Sequence, residues 1–221
     1  MRLRNAFVAV CLITMSALAA SEARAGSYRP DITIGPAIST LGLGGDVGVR
    51  FNDYFGVRIA GNAWLADFDA SYGDIDYDID FTLASVGPML DVYPFGGVLR
   101  FTAGFRYNMN GVGLSATPNT NITIGGTTYT PAQIGKIDGD LDFNAIAPYV
   151  GLGLEATFID GFMALGFEGG VLFQGEPSVS LKSSAGVVSA ADLRAEEKQI
   201  EDDLAVLAYY PVLRLYMTFR F

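Results

Sequence analysis

The sequence predicts an all-β protein: an eight-stranded, up-and-down antiparallel transmembrane β-barrel with a short helix in its last extracellular loop. Three observations carry this. Apolar and polar residues alternate with period two in stretch after stretch. Short and long connections between those stretches alternate along the chain. Beyond residue 26 no run approaches the ~20 apolar residues of a helical span, so strands must make any membrane crossing.

The chain opens with Arg2 and Arg4, an apolar run over residues 6–20, and the small-x-small triplet Ala23-Arg24-Ala25. This is the layout of a cleaved secretory signal over residues 1–25, leaving a single barrel domain over 26–221. The only cysteine, Cys11, lies in that signal, so the mature chain has no thiol chemistry. Cleavage removes Arg2, Arg4 and Arg24 of 14 basic residues and Glu22 of 24 acidic ones, leaving 11 against 23 and a net charge of −12. Such a chain repels nucleic acid.

Taken in order, the strands fall at residues 32–39, 41–51, 55–66, 81–93, 99–110, 146–158, 162–174 and 212–221. The pattern is sharpest in the last, where Leu213, Leu215, Met217, Phe219 and Phe221 oppose Arg214, Tyr216, Thr218 and Arg220. In the fifth, Phe101, Phe105 and Tyr107 oppose Arg100, Arg106 and Asn108. Asn52-Asp53, Phe95-Gly96-Gly97 and Asp160-Gly161 read as tight periplasmic turns. Residues 67–80, 111–142 and 175–208 read as long, polar, irregular extracellular loops, while the connection near Thr40 has to be an unusually short one. Pro36, Pro88 and Pro148 fall inside strands, and Pro88 is expected to mark a bulge.

Magnitude decides which face meets lipid. With the charged face outward, Arg106 and Arg214 would each cost about 2 to 4 kcal/mol, and Asp46, Glu155 and Glu168 somewhat less. A total on the order of 10 kcal/mol would consume the roughly 5 to 15 kcal/mol by which domains are stable. The charges therefore face inward. Asp46, Asp91, Glu155 and Glu168 are expected to pair there with Arg58, Arg106 and Arg214, with Arg50, Arg100 and Arg220 at the periplasmic rim. In a barrel this narrow they form either a structural plug or a selective ion path. Phe51, Tyr54, Phe55, Tyr93, Phe95, Phe158, Phe162, Phe219 and Phe221 by the turns, and Phe68, Phe81, Phe173, Tyr209 and Tyr210 by the loops, suggest two interfacial girdles.

The segment 44–61, with its Gly-Val-Arg-Phe-Asn-Asp-Tyr-Phe-Gly-Val-Arg core, resembles the second hairpin of opacity-type small outer-membrane barrels, a porin-like superfamily that includes outer-membrane protein W-like members. The end, residues 210–221, is similar to the terminal strand such proteins present to the barrel-assembly machinery, which implies an assembly signal in Tyr216, Phe219 and Phe221. The resemblance implies residence in the outer membrane of a Gram-negative bacterium, among lipid and lipopolysaccharide. The superfamily ranges from adhesins to small-molecule channels, so it specifies no extracellular partner.

No histidine occurs anywhere, which removes the usual general base and a common metal ligand and excludes a Ser-His-acid site. The chain is read as non-enzymatic and without cofactor. Asp74, Asp76, Asp78 and Asp80 alternate in one loop and could collect a divalent cation, although the same spacing suits a hairpin with one solvated face. Ser189, with Asp192 three residues later, opens a helical stretch that could fold into the mouth as a lid or rest on the rim. Residues 119–130, with Gly125-Gly126 between β-prone runs, read as a small hairpin. Two functions remain: a structural or surface-interaction barrel, and a channel or carrier for small molecules.

Overall fold

A computed structural model describes residues 30–72 and 75–221, so the segment 1–25 read as a secretory signal lies outside the described residues. Eight strands close the barrel: β1 (Asp31–Ser39), β2 (Gly42–Arg50), β3 (Phe55–Tyr72), β4 (Ile75–Val92), β5 (Leu99–Asn108), β10 (Ile146–Phe158), β11 (Met163–Phe173) and β13 (Tyr209–Arg220). All neighbours are antiparallel, and β13 returns to β1 with Thr33 opposite Arg220 and Ser39 opposite Arg214. Closure leaves no sheet edge in the membrane, where an unpaired backbone group has no water to bond.

The period-two pattern sets the facing. On β5, Phe105 is 57% exposed on the lipid side while its neighbour Arg106 is 0% exposed in the lumen. Phe162 packs against Phe219 and Phe221 with ring centroids 5.8 and 5.5 Å apart, closing part of the periplasmic girdle. Phe173 and Tyr209 meet edge to face at the other end. Tyr93 departs from the girdle. It is buried in the lumen beneath the Arg50 guanidinium, 4.1 Å from its ring centroid, because its parity on β4 is that of Asp91.

The first extracellular connection is short, as required: Ser39 pairs with Gly42, and only Thr40 and Leu41 turn the chain. Gly42 takes φ +102°, a left-handed conformation that costs glycine little, and a Cβ there would lie 2.4 Å from the Ala63 carbonyl oxygen. Pro88 makes no bulge. The β4–β5 register is the same on both sides of it, from Val86 opposite Tyr107 to Met89 opposite Gly104. The ladder skips Gly87 and Pro88, just as the β1–β13 ladder skips Gly35 and Pro36. In both places a proline without a donor follows a glycine whose Cβ would collide with the neighbouring strand's carbonyl oxygen.

The long connections are not irregular. β3 and β4 run on together above the membrane to the pair Tyr72–Ile75. β6 (Gly111–Pro118) continues β5 along β4 in one unbroken register, with Leu90 opposite Ala103 and Phe81 opposite Val112. β9 (Ile137–Asp142) likewise continues β10, and β12 (Ser178–Ser183) pairs with β9. The strands break at one level, where the Asn110 side chain replaces a missing backbone partner: Ala84 N–H donates to Asn110 Oδ1 at 3.1 Å, and Asn110 Nδ2 in turn donates to the Gln174 side chain at Oε1, 2.9 Å away. The result is a one-sided extracellular wall of β3, β4, β6, β9 and β12.

The segment read as a small hairpin forms β7 (Ile122–Ile124) and β8 (Thr127–Tyr129), followed by the one-turn α1 (Pro131–Ile134). α2 (Ala190–Asp203) begins at Ser189, whose hydroxyl accepts the Asp192 N–H at 3.1 Å. It runs along β12, where Glu201 accepts from Val179 N–H at 2.9 Å and Glu197 from Leu181 N–H at 2.7 Å. Two carboxylates one helical turn apart thus satisfy donors that an edge strand would otherwise offer to another chain.

Candidate functional site

The lumen gathers ionisable side chains of both signs, and each arrives there through the inward parity of its strand. Arg58 of β3 is the hub: its Nε donates to Asp91 Oδ2 at 2.8 Å, its Nη1 to Asp46 Oδ1 at 3.2 Å and its Nη2 to Glu168 Oε2 at 3.0 Å. Arg100 bonds Glu168 directly and lies 3.8 Å from both Asp91 and Glu155. Arg214 binds Asp46, and Arg220 binds Glu155. Neutral donors complete the network: Thr102 Oγ1 to Asp91 at 2.6 Å, Tyr149 OH to Glu168 at 2.7 Å and Tyr216 OH to Glu155 at 3.2 Å. With several donors on each carboxylate, the geometry that makes buried ion pairs tolerable is met.

Above this network an apolar layer fills the bore. Leu41 from the tight turn, Ala60, Met89, Ala147, Tyr149, Leu172 and Val212 form one buried cluster, with Tyr210 packed against it. On the periplasmic side an inlet of about 20 Å³ reaches the network between Thr33, Asp46, Arg58, Asp91 and Arg220, room for one water. Side chains fill the cross-section, as expected for eight strands.

Similarity to solved structures agrees with this architecture. Acinetobacter baumannii CarO2 superposes with a TM-score of 0.60 over 88% of this chain and all of its own, at 23% identity. The fold is that of a small outer-membrane β-barrel. Acinetobacter baumannii CarO gives a TM-score of 0.58 over 86% of this chain and 98% of its own, at 22% identity. No protein-family description and no curated protein matches the sequence.

The structure redistributes several predicted residues. Asp46, Asp91, Glu155, Glu168, Arg58 and Arg214 meet in one network, but Arg106 reaches no carboxylate among the described residues. Its Nη1 donates to Asn62 and Ser85, each at 3.0 Å, and its guanidinium lies 5.3 Å from the Tyr149 ring centroid. Arg100 belongs to the network instead of the rim, since the barrel's stagger carries its strand end inward. Arg50 stays near the periplasmic turns and donates to the carbonyls of Asn52, Asp53 and Gly96, tying two turns together. Tyr216 lies in the lumen beneath Arg100, so of the three proposed assembly residues only Phe219 and Phe221 present rings to the girdle.

Of the alternating aspartates, Asp74 lies outside the described residues. Asp78 and Asp80 are exposed and stand opposite Asp69 and Asp67. Among the described residues no group of three potential metal ligands forms. The alternation is explained by the wall: Asp67, Asp69, Asp78, Asp80, Asp138 and Asp140 share its outer face, while Phe68, Ile79, Phe81, Leu114, Leu141 and Leu181 share the face above the mouth. Thr102 and Tyr149 were missed because nothing in the alternation distinguishes a network residue from any other inward one.

Proposed function

We propose that the protein is a non-enzymatic, non-conducting outer-membrane barrel whose role in the envelope is to hold a rigid extracellular sheet for surface interaction. The observation that carries this reading is the pairing of a filled bore with strands that continue out of the membrane in register. In this reading the leader ending at Ala25 directs export, opacity-type proteins supply a functional analogy, and the terminal strand with Phe219 and Phe221 engages the assembly machinery. Lipopolysaccharide is the expected neighbour of the extracellular girdle.

A carrier for small apolar molecules is the second reading, favoured by the apolar face that the wall turns over the mouth. Planar-bilayer recording on the mature chain, once heat-modifiable gel mobility confirms folding, separates conduction from closure. Silence is expected; stable discrete conductance steps would refute the closed-barrel reading.

A further inference from the structure

β3 leaves the membrane with one side uncovered. β2 accompanies it only as far as Leu43 opposite Ala63, because the turn at Thr40 and Leu41 is so short, whereas β3 runs on to Tyr72 paired with β4 alone. The Ala63 carbonyl points toward β2, since a Cβ on Gly42 would lie 2.4 Å from its oxygen, while the Tyr54 carbonyl accepts from Tyr93 N–H on the β4 side. Odd-numbered residues of β3 therefore aim their backbone groups away from β4. Beyond Ala63 those of Leu65, Asp67 and Asp69 meet no partner strand among the described residues.

The opposite edge of the wall is treated differently, since Glu201 and Glu197 take the Val179 and Leu181 amides of β12. Residues 64–72 contain no proline and no lysine, and their register with β4 is unbroken, so of the usual devices that blunt an edge only charge is present. That charge has one sign. Asp67 and Asp69 stand on the outer face opposite Asp80 and Asp78, and no basic residue occurs between Arg58 and Arg100. Like charges facing each other across strands destabilise a sheet, so a basic side chain brought to this edge would relieve them. A second copy is a poor occupant: edge-to-edge pairing about Asp67 sets Asp67 against Asp67 and Leu65 against Asp69. On the other face the exposed rings of Trp64 and Phe68 flank the same edge.

We infer that this edge receives, by strand addition, an extended segment of a partner protein in which basic residues alternate with apolar ones, an assignment that rests on the surface-interaction reading above. Main-chain hydrogen bonds to Leu65, Asp67 and Asp69 hold the segment. Its basic side chains lie along the aspartates and its apolar ones beside Trp64 and Phe68, as the period of two requires.

The probe is a short fluorescent peptide alternating lysine and valine, titrated against the mature chain refolded in detergent and followed by anisotropy. Saturable binding is expected, with slowed amide exchange at Leu65, Asp67 and Asp69. The same peptide N-methylated at alternate residues keeps its charge and loses main-chain donors, so it should bind about tenfold more weakly or worse. Asp67→Asn and Asp67→Pro both remove the charge, but proline also removes the N–H that faces the open edge, a place where a strand tolerates it. The proline variant should bind several-fold more weakly than the asparagine one; should it fail to fold, the N-methylated peptide makes the same comparison. Equal affinity for the plain and N-methylated peptides, binding that leaves the three amides unprotected, or no binding at all would overturn the edge assignment alone. Conductance steps in the bilayer would instead overturn the closed-barrel reading beneath it.

Discussion

Glu168→Gln is the sharpest perturbation of the lumen. The substitution keeps shape and volume but removes the charge that Arg58 and Arg100 share, at a side chain 0% exposed. The amide retains one acceptor oxygen for the Tyr149 hydroxyl, now 2.7 Å from the carboxylate, and turns its NH2 toward a guanidinium that can only donate. Removing one partner of a buried, hydrogen-bonded pair costs about 3 to 5 kcal/mol, because the remaining charge stays buried. Against a typical margin of roughly 5 to 15 kcal/mol this is a large fraction of the stability. Urea titration in lipid vesicles gives the number directly, and Trp64, the single tryptophan, reports from β3 at the mouth. The outer-face substitution Asp67→Asn provides the control, with an expected change within about 0.5 kcal/mol. A cost below about 1 kcal/mol for Glu168→Gln would mean that the network is hydrated and unstrained by charge removal, and the plug argument would fall.

Facing is tested by assembly yield: Phe105→Arg places a cation in lipid at about 2 to 4 kcal/mol, so it should assemble far less well than Arg106→Leu, and equal yields would contradict the assigned faces. Replacing Glu197 and Glu201 together by Ala should expose the β12 donors of Leu181 and Val179 and speed their amide hydrogen exchange without affecting the barrel strands. Unchanged exchange at those two amides would show that α2 does not protect the edge. The Tyr129 hydroxyl donating to Asp192 at 2.5 Å holds that carboxyl below the usual carboxylate range. A lowered pKa means stabilisation that is present at neutral pH and is lost as pH falls through the folded-state value. Protection of the β7–β8 hairpin from protease should thus decline in acid, and Tyr129→Phe should remove most of that pH dependence; an identical acid response in both would argue against the link.

Most of the barrel was legible because a strand in a closed membrane barrel has only two environments, lipid and lumen, and the period-two alternation records which residue meets which. That holds for β5, β10, β11 and β13, whose inward and outward residues follow the alternation residue by residue. The same rule misled where strands left the membrane. Asp67 to Asp80 alternates as regularly as any strand, yet with water on its outer face the pattern becomes Asp against apolar residues and reads as polar loop.

By itself, then, the sequence determined the strand number, the facing, the inward set of charges, the tight turn at Thr40 and the helix start at Ser189, all of which are set by local period or by the chemistry of a few neighbouring residues. Only the tertiary structure decided the partners. Which arginine meets which carboxylate depends on stagger between strands far apart in sequence, so Arg100 enters the network, Tyr216 donates to Glu155, and Arg106 is left bonded to the neutral Asn62 and Ser85. The wall arises in the same way, because register is a relation between strands and no single strand encodes it.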